Sequence, residues 1–165
     1  MGREMRKEDL RKKDERQILV FRLTNGELGL DISCVREILR PQEIYPLPKT
    51  PPFVEGVINL RGHIVPLIDL SKKLSGKQTE GESNKRIIVC RVSKFIIGLT
   101  VSSLKEIVTL SQEDIMPTPE VVSMQIEAEV LSGIARVGER IIPILDLEYI
   151  LTKKEVSELS TLKQL

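Results

Sequence analysis

Residues 18–39, ILVFRLTNGELGLDISCVREIL, return as residues 87–108, IIVCRVSKFIIGLTVSSLKEIV. At this offset of 69 positions, Ile18, Val20, Arg22, Gly29, Leu30, Ser33, Glu37 and Ile38 each meet the same residue in the second copy, and Pro48 meets Pro117. A second stretch, 56–74, returns as 133–151 at an offset of 77: Gly56, Ile64, Pro66, Asp69, Leu70 and Leu74 meet Gly133, Ile141, Pro143, Asp146, Leu147 and Leu151. The change of offset places an insertion between Pro117 and Gly133. Self-similarity at fixed spacing means that one structural unit is built twice. The first unit runs over about 17–74 and the second over about 87–151, joined by a linker at 75–86.

Each unit reads as hairpin, strand, proline connector, hairpin and short capped helix. Asn25-Gly26 between two β-rich runs predicts a type I′ hairpin, because both residues tolerate φ > 0. Residues 35–39 fit a further strand or one helical turn. Residues 41–52 hold five of the nine prolines and predict an extended connector. A turn at Arg61-Gly62 separates two strands in 57–70, and Asp69 can cap a short helix at 70–74. Residues 75–86 contain no apolar side chain and read as an exposed loop. A second hairpin occupies 87–101, Ser111 with Asp114 forms a capping box, and residues 133–145 make a third strand pair. Residues 147–165 begin as a helix and fray, so 152–165 is a C-terminal tail. Residues 1–16, with seven basic and five acidic side chains, form a charged N-terminal tail. Pro66 and Pro143 fall inside strands at one matched position, which requires an edge or a bulge. Gly56 starts a strand in both units, which suggests φ > 0 or a close backbone approach. Five short antiparallel strands per unit bury their apolar faces by curling into a small barrel, and two such barrels gain core by packing together.

Composition agrees with an all-β chain. Nineteen Ile and fourteen Val stand against two Ala in 165 residues, and branching at Cβ suits a pleated surface. A net charge of +1 and 3% aromatics supply neither a field nor a stacking platform for nucleic acid. Cys34 and Cys90 lie among apolar residues and read as buried reduced thiols; a lone His63 beside a turn cannot build a zinc site. Gly76-Lys77 is followed by Gln78 and has Ser71 where a phosphate loop needs glycine. No GxSxG or dinucleotide fingerprint occurs, so no enzyme and no cofactor are expected. An apolar leader and a membrane span are both missing from the pattern, and a cytoplasmic protein without membrane insertion is expected.

FVEGVINLRGHIVPLIDL (53–70), VREI (35–38), GLDI (29–32) and the echo SGIARVGERIIPILDL (132–147) resemble the CheW family of bacterial chemotaxis coupling proteins, over about 17–151. The resemblance implies two SH3-like five-stranded β-barrels with short helices and a C-terminal helix. It implies a non-enzymatic adaptor that couples the cytoplasmic tip of methyl-accepting chemoreceptors to the regulatory domain of the histidine kinase CheA, at membrane-associated arrays. The chain has room for neither a kinase nor a receiver domain. A paralogue serving another receptor–kinase pathway, or a nucleic-acid-binding β-barrel, would be the alternatives.

The repeat shows where a binding site has diverged. The turn is Asn59-Leu60-Arg61-Gly62 in the first unit and Arg136-Val137-Gly138-Glu139 in the second. Arg61 can pair with Glu37, and the resemblance implicates both in partner binding. Gly138 stands where Glu106, the repeat mate of Glu37, would need its arginine. The expected receptor groove is lined by Val35, Ile38, Leu30 and Leu99 with Glu37 and Arg61 at its rim, Val35 sharing a face with Glu37 if the stretch is a strand. The expected kinase contact is Gly56, Val57, Asn59 and Leu60.

Overall fold

The runs ILVF (18–21) and IIVC (87–90) have no polar residue to turn outward. Successive strand side chains point to opposite faces, so such a strand must be covered on both. The computed structural model describes residues 15–23, 26–81, 83–118, 130–152, 155 and 157–159. Among these, every one of Ile18, Leu19, Val20, Phe21, Ile87, Ile88, Val89 and Cys90 is buried.

The fold is mostly β, in two sheets. β1 (Arg16–Leu23) and β2 (Gly26–Asp31) form the first hairpin, closed by the pair Leu23 and Gly26. Gly26 has φ of 141°; Asn25, the other half of the expected turn, lies outside the described residues. Asp31 then caps a one-turn 3-10 helix, Ile32–Cys34, by accepting the Ser33 N–H at 3.0 Å. This turn carries the chain out of the first sheet and into the second as β3 (Val35–Leu39), the strand alternative for this stretch. β4 (Val54–Leu60) and β5 (His63–Asp69) follow, then the helix α1 (Leu70–Ser75). The hairpin β6 (Arg86–Val92) and β7 (Phe95–Val101) joins the same sheet. β8 (Ser103–Leu110), β9 (Ile115–Met116), β10 (Leu131–Val137) and β11 (Arg140–Leu145) return to the first.

The units exchange hairpins. One sheet runs β8-β1-β2-β11-β10-β9 and the other β3-β6-β7-β5-β4. Neither sheet is therefore the product of one unit, as the repeat alone suggested. Each takes its leading hairpin from one unit and the remaining strands from the other. Two of the four joints between units are parallel, β5 on β7 and β11 on β2, where all-antiparallel barrels were expected; β8 on β1 and β3 on β6 are antiparallel. The closed SH3-like barrels are not confirmed either: backbone pairing leaves both sheets open, ending on β8 and β9 and on β3 and β4.

Three apolar clusters result among the described residues. Leu19 and Phe21 of β1, with Ile88, Cys90 and Val92 of β6, enter a central core between the sheets. Ile18 and Val20 face Leu110, Ala135, Ile142 and Ile144 inside the curl of the first sheet. Ile87 and Val89 face Ile58, Val65 and Leu67 inside the second.

The matched residues of the repeat have structural reasons. Gly29 and Gly98 face the two inner clusters. A Cβ on Gly29 would stand 2.6 Å from Ile18 Cγ2, and one on Gly98 would stand 2.9 Å from Leu67 Cδ1. Gly56 has φ of 147°, and its Cβ would strike the Tyr45 carbonyl oxygen; in the second unit a Cβ on Gly133 would lie 2.9 Å from the Met116 carbonyl oxygen. β5 pairs with β7 only from Leu67 onward, and β11 with β2 at Ile144. Pro66 and Pro143 therefore sit where their strands have not yet gained a second neighbour, so the edge expectation holds. Asp69 caps α1, accepting the Lys72 N–H at 3.1 Å, and Asp146 caps the 3-10 turn Leu147–Tyr149. Ser111 and Asp114 form the expected capping box.

Three details differ from the expected picture. The 75–86 loop is not wholly exposed: Thr79 is 3% exposed, its N–H 3.0 Å from an oxygen of the buried Asp69. Cys90 is buried, its thiol pushed up to about 12 by desolvation, but Cys34 is only partly buried. Both cysteines are free. The C-terminal segment does not simply fray, since residues 155 and 157–159 are helical and Leu159 is buried.

Adding a methyl group inside a curled sheet overpacks it, which costs about 1–3 kcal/mol. Gly29→Ala and Gly98→Ala should each lower the unfolding free energy by that amount, read as a lower urea midpoint with the m-value unchanged. The same substitution at the exposed Gly138 meets no neighbouring atom but puts a Cβ at φ of 62°, so it should cost only the left-handed strain, about 1–2 kcal/mol.

Candidate functional site

β3 and the β4–β5 turn stand at opposite ends of the five-stranded sheet. Because the sheet curls, they face each other across a groove of about 530 Å³. Its walls carry Leu60, His63, Ile64 and Val65 from β4 and β5, and Val89 and Ile96 from β6 and β7. Arg61 reaches over the mouth, its Nη2 2.6 Å from Glu37 Oε2. The two sheet ends that no backbone pairing joins are thus tied by an ion pair.

Local geometry sets this up. Leu60 and His63 pair across the turn, leaving Arg61 and Gly62 with φ of 51° and 85°. Positive φ at both central positions is the type I′ pattern, which suits the twist of a hairpin. The Asn59 side-chain oxygen accepts the Gly62 N–H at 2.8 Å and locks the turn. The Glu37 carboxylate raises the already high pKa of Arg61, so the guanidinium stays charged at any ordinary pH.

The structure brings some of the expected residues together and separates others. Glu37 and Arg61 are in contact. Ile38 is exposed on β3, and Val35 is partly buried against the central core. A β-bulge falls between Val35 and Glu37. It puts Val35 opposite Cys90 of the central core and Glu37 opposite Val89 of the inner cluster, so the expected shared face is lost. Leu30 and Leu99 are completely buried in the central core; they hold the two sheets together and line no groove. Gly56 and Val57 are also buried, their backbones between β5 and the Tyr45 bridge. Asn59 is exposed and Leu60 half-buried. Sequence reasoning missed His63 and Ile64 as groove residues. Ile64 is 44% exposed at a matched position of the repeat, and an apolar side chain exposed in both copies, as Ile141 is, was the available signal.

The second unit also has an arginine–glutamate pair, contrary to the expectation from Gly138. Arg140 Nη1 lies 2.5 Å from Glu106 Oε1, and Arg140 Nη2 lies 2.8 Å from Glu27 Oε2. Arg140 is the repeat mate of His63, so the arginine has moved two residues along, past a turn in which Gly138 alone has positive φ. Glu27 also binds Lys105. It thereby joins β2, β8 and β11 at one carboxylate.

With this geometry in hand, comparison with known proteins is direct. The CheW-like domain family model matches residues 17–155. The chain is 34% identical to the chemotaxis protein CheW of Klebsiella aerogenes, over 86% of this chain and 84% of that one. It is 30% identical to the chemotaxis protein CheW of Thermotoga maritima, over 87% and 93%. The crystal structure of the scaffolding protein TtCheW from Thermoanaerobacter tengcongensis superposes with a TM-score of 0.77 at 33% identity, covering 85% of this chain and 90% of that one. The chain belongs to the CheW-like family.

The Glu27 hub predicts an acid dependence. Hydrogen bonds from Lys105 and Arg140 hold its carboxyl at about 2, against an ordinary 4.5. A depressed folded-state value stabilises the fold fully above the unfolded value and loses that contribution as pH falls through the window from about 4.5 to about 2. Wild type should therefore exceed Glu27→Gln in urea midpoint near about pH 6, and the gap should close by about pH 2. A gap that stays constant over this window would refute the hub.

Proposed function

We propose that this chain is a chemotaxis scaffold that couples chemoreceptors to a CheA-type histidine kinase by binding alone. The carrying observation is the Arg61–Glu37 pair across the groove mouth in a chain of the CheW-like family. Relatives bear the names chemotaxis protein and scaffolding protein. No helix among the described residues is long and apolar enough to cross a membrane, which fits an adaptor acting beside receptors in the cytoplasm.

Energetics favour a binding role for the pair over a structural one. Arg61 is 71% exposed on its side chain and Glu37 28%, and a solvent-screened pair of this kind adds little to folding. A non-glycine residue in the left-handed region costs roughly 1–2 kcal/mol. The pair does not offset that cost, and the second unit uses glycine at the same place. Strain kept where it does not stabilise points to function.

The receptor contact is assigned to Val35 and Ile38 on edge strand β3, with Glu37 and Arg61 presenting a fixed charge pattern beside them. Ile107, the repeat mate of Ile38, is likewise exposed, on edge strand β8 of the other sheet. A receptor helix would lay an apolar face on such a surface. The kinase contact is assigned to the end of the β4–β5 hairpin at Asn59 and Leu60, with Gly56 and Val57 shaping it from within.

Co-sedimentation with receptor cytoplasmic fragments and kinase tests this reading. Arg61→Glu should lose most co-sedimentation while its Tm moves by less than about 3 °C. Arg61→Gly relieves the strained φ and should be at least as stable as wild type, yet bind as poorly. Combining Arg61→Glu with Glu37→Arg should restore part of the binding. Variants that fold and co-sediment like wild type would sink the assignment.

A further inference from the structure

Two grooves of this molecule are copies of one another, and only one is filled. The first is walled by Pro66, Val92, Ile97 and Leu151. The second is walled by their repeat mates Pro143, Leu23, Leu28 and Leu74. The walls were preserved as aliphatic or proline side chains in both units.

In the first groove Phe95 narrows the space and Leu159 closes it. About 10 Å³ remains, too little to hold a water comfortably. Leu159 is 5% exposed and comes from the C-terminal helical segment. That segment begins with a reciprocal cap: the Glu155 N–H donates to Thr152 Oγ1 at 3.1 Å, and the Thr152 N–H donates to Glu155 Oε1 at 2.7 Å. Lys73 of α1 donates to both Glu155 oxygens at 2.9 Å while lying over the Phe53 ring. The helical segment is thus pinned where it delivers one leucine into the groove.

The second groove keeps about 190 Å³. Gly26 replaces Phe95 and Glu27 replaces Ile96. Polar groups at the rim are already engaged: Glu27 by Lys105 and Arg140, and the Ser75 hydroxyl by the Ser71 carbonyl at 2.8 Å. What is left unsatisfied is the apolar wall.

We propose that the open groove receives one aliphatic side chain of leucine size from an amphipathic helix of a partner protein, as its mate receives Leu159. The filled copy specifies the occupant, because its conserved walls already hold that side chain from a helix. This surface shares no lining residue with the Arg61–Glu37 groove, so it adds a separate contact and does not depend on the reading given above.

The probe is a synthetic peptide of residues 152–165, TKKEVSELSTLKQL, titrated into the isotopically labelled full chain. Saturable amide shifts are expected at Leu23, Gly26, Leu28 and Leu74. Replacing one of the peptide's three leucines, Leu159→Ala, should weaken binding roughly ten-fold or more, since a buried leucine contributes that much; this control leaves the protein untouched. Ser75→Phe in the protein should fill the groove and abolish the shifts. The proposal is overturned if no saturable shift occurs by about millimolar peptide, or if the alanine peptide binds equally well. It is also overturned if shifts stay at Val92, Ile97 and Leu151, where the peptide would only replace the chain's own tail. Concentration-dependent shifts at the open groove without peptide would put a second copy there in place of a partner.

Discussion

β1 and β6 are apolar on both faces, and burying both faces of both strands is the constraint on which this structure depends. One sheet packed on one core would leave half of each strand in water. At roughly 25 cal/mol per Å² of apolar surface, exposing one face of either strand forfeits several kcal/mol, comparable with the whole stability of a domain. Curling each sheet covers the inner faces, and packing the sheets together covers the outer ones. The glycines follow from the same constraint. Gly29 and Gly98 lie on the inner side of the curl, where the radius is smallest and a methyl group already collides.

Exchanging hairpins makes the two halves inseparable. Had each unit closed on itself, the two halves would share only a contact surface. With β3 on β6, β8 on β1, and parallel joints at β5–β7 and β11–β2, each sheet is complete only when both units are present. The short capped turns make this possible. Asp31 ends β2 with a 3-10 turn that redirects the chain into the other sheet, so a local capping residue decides a long-range connection.

Open sheets leave ends to be managed, and here charged side chains do it. Arg61–Glu37 ties the ends of one sheet, and Arg140–Glu106–Glu27 ties end strand β8 of the other to β11 and β2. The two solutions differ in kind. The second is multivalent, anchored on a carboxylate held far below its ordinary range, and structural in character. The first is a single exposed contact on a strained residue above a groove. Duplication followed by divergence has left the two units with unlike pairs, one in a half-buried network and the other exposed over a groove. The filled and open leucine grooves divide in the same manner.

The sequence by itself determined the repeat, the β class, the hairpins, the caps at Asp69 and Ser111, the edge position of the prolines and the Arg61–Glu37 pair. Each rests on local chemistry or on matching two copies of one pattern, both visible in one dimension, except the Arg61–Glu37 pair, which rests on the family resemblance. Only the tertiary structure decided which strand pairs with which. Matching copies cannot tell a self-contained unit from an exchanged one, because either arrangement gives every residue the same environment. For the same reason Leu30 and Leu99 read as groove residues although they are core: an apolar strand residue carries no mark of which layer covers it. The bulge after Val35 reversed a face that alternation had assigned. The Arg140 pair was invisible because its arginine is two positions from the matched site, and only a change of turn geometry brings it back to Glu106.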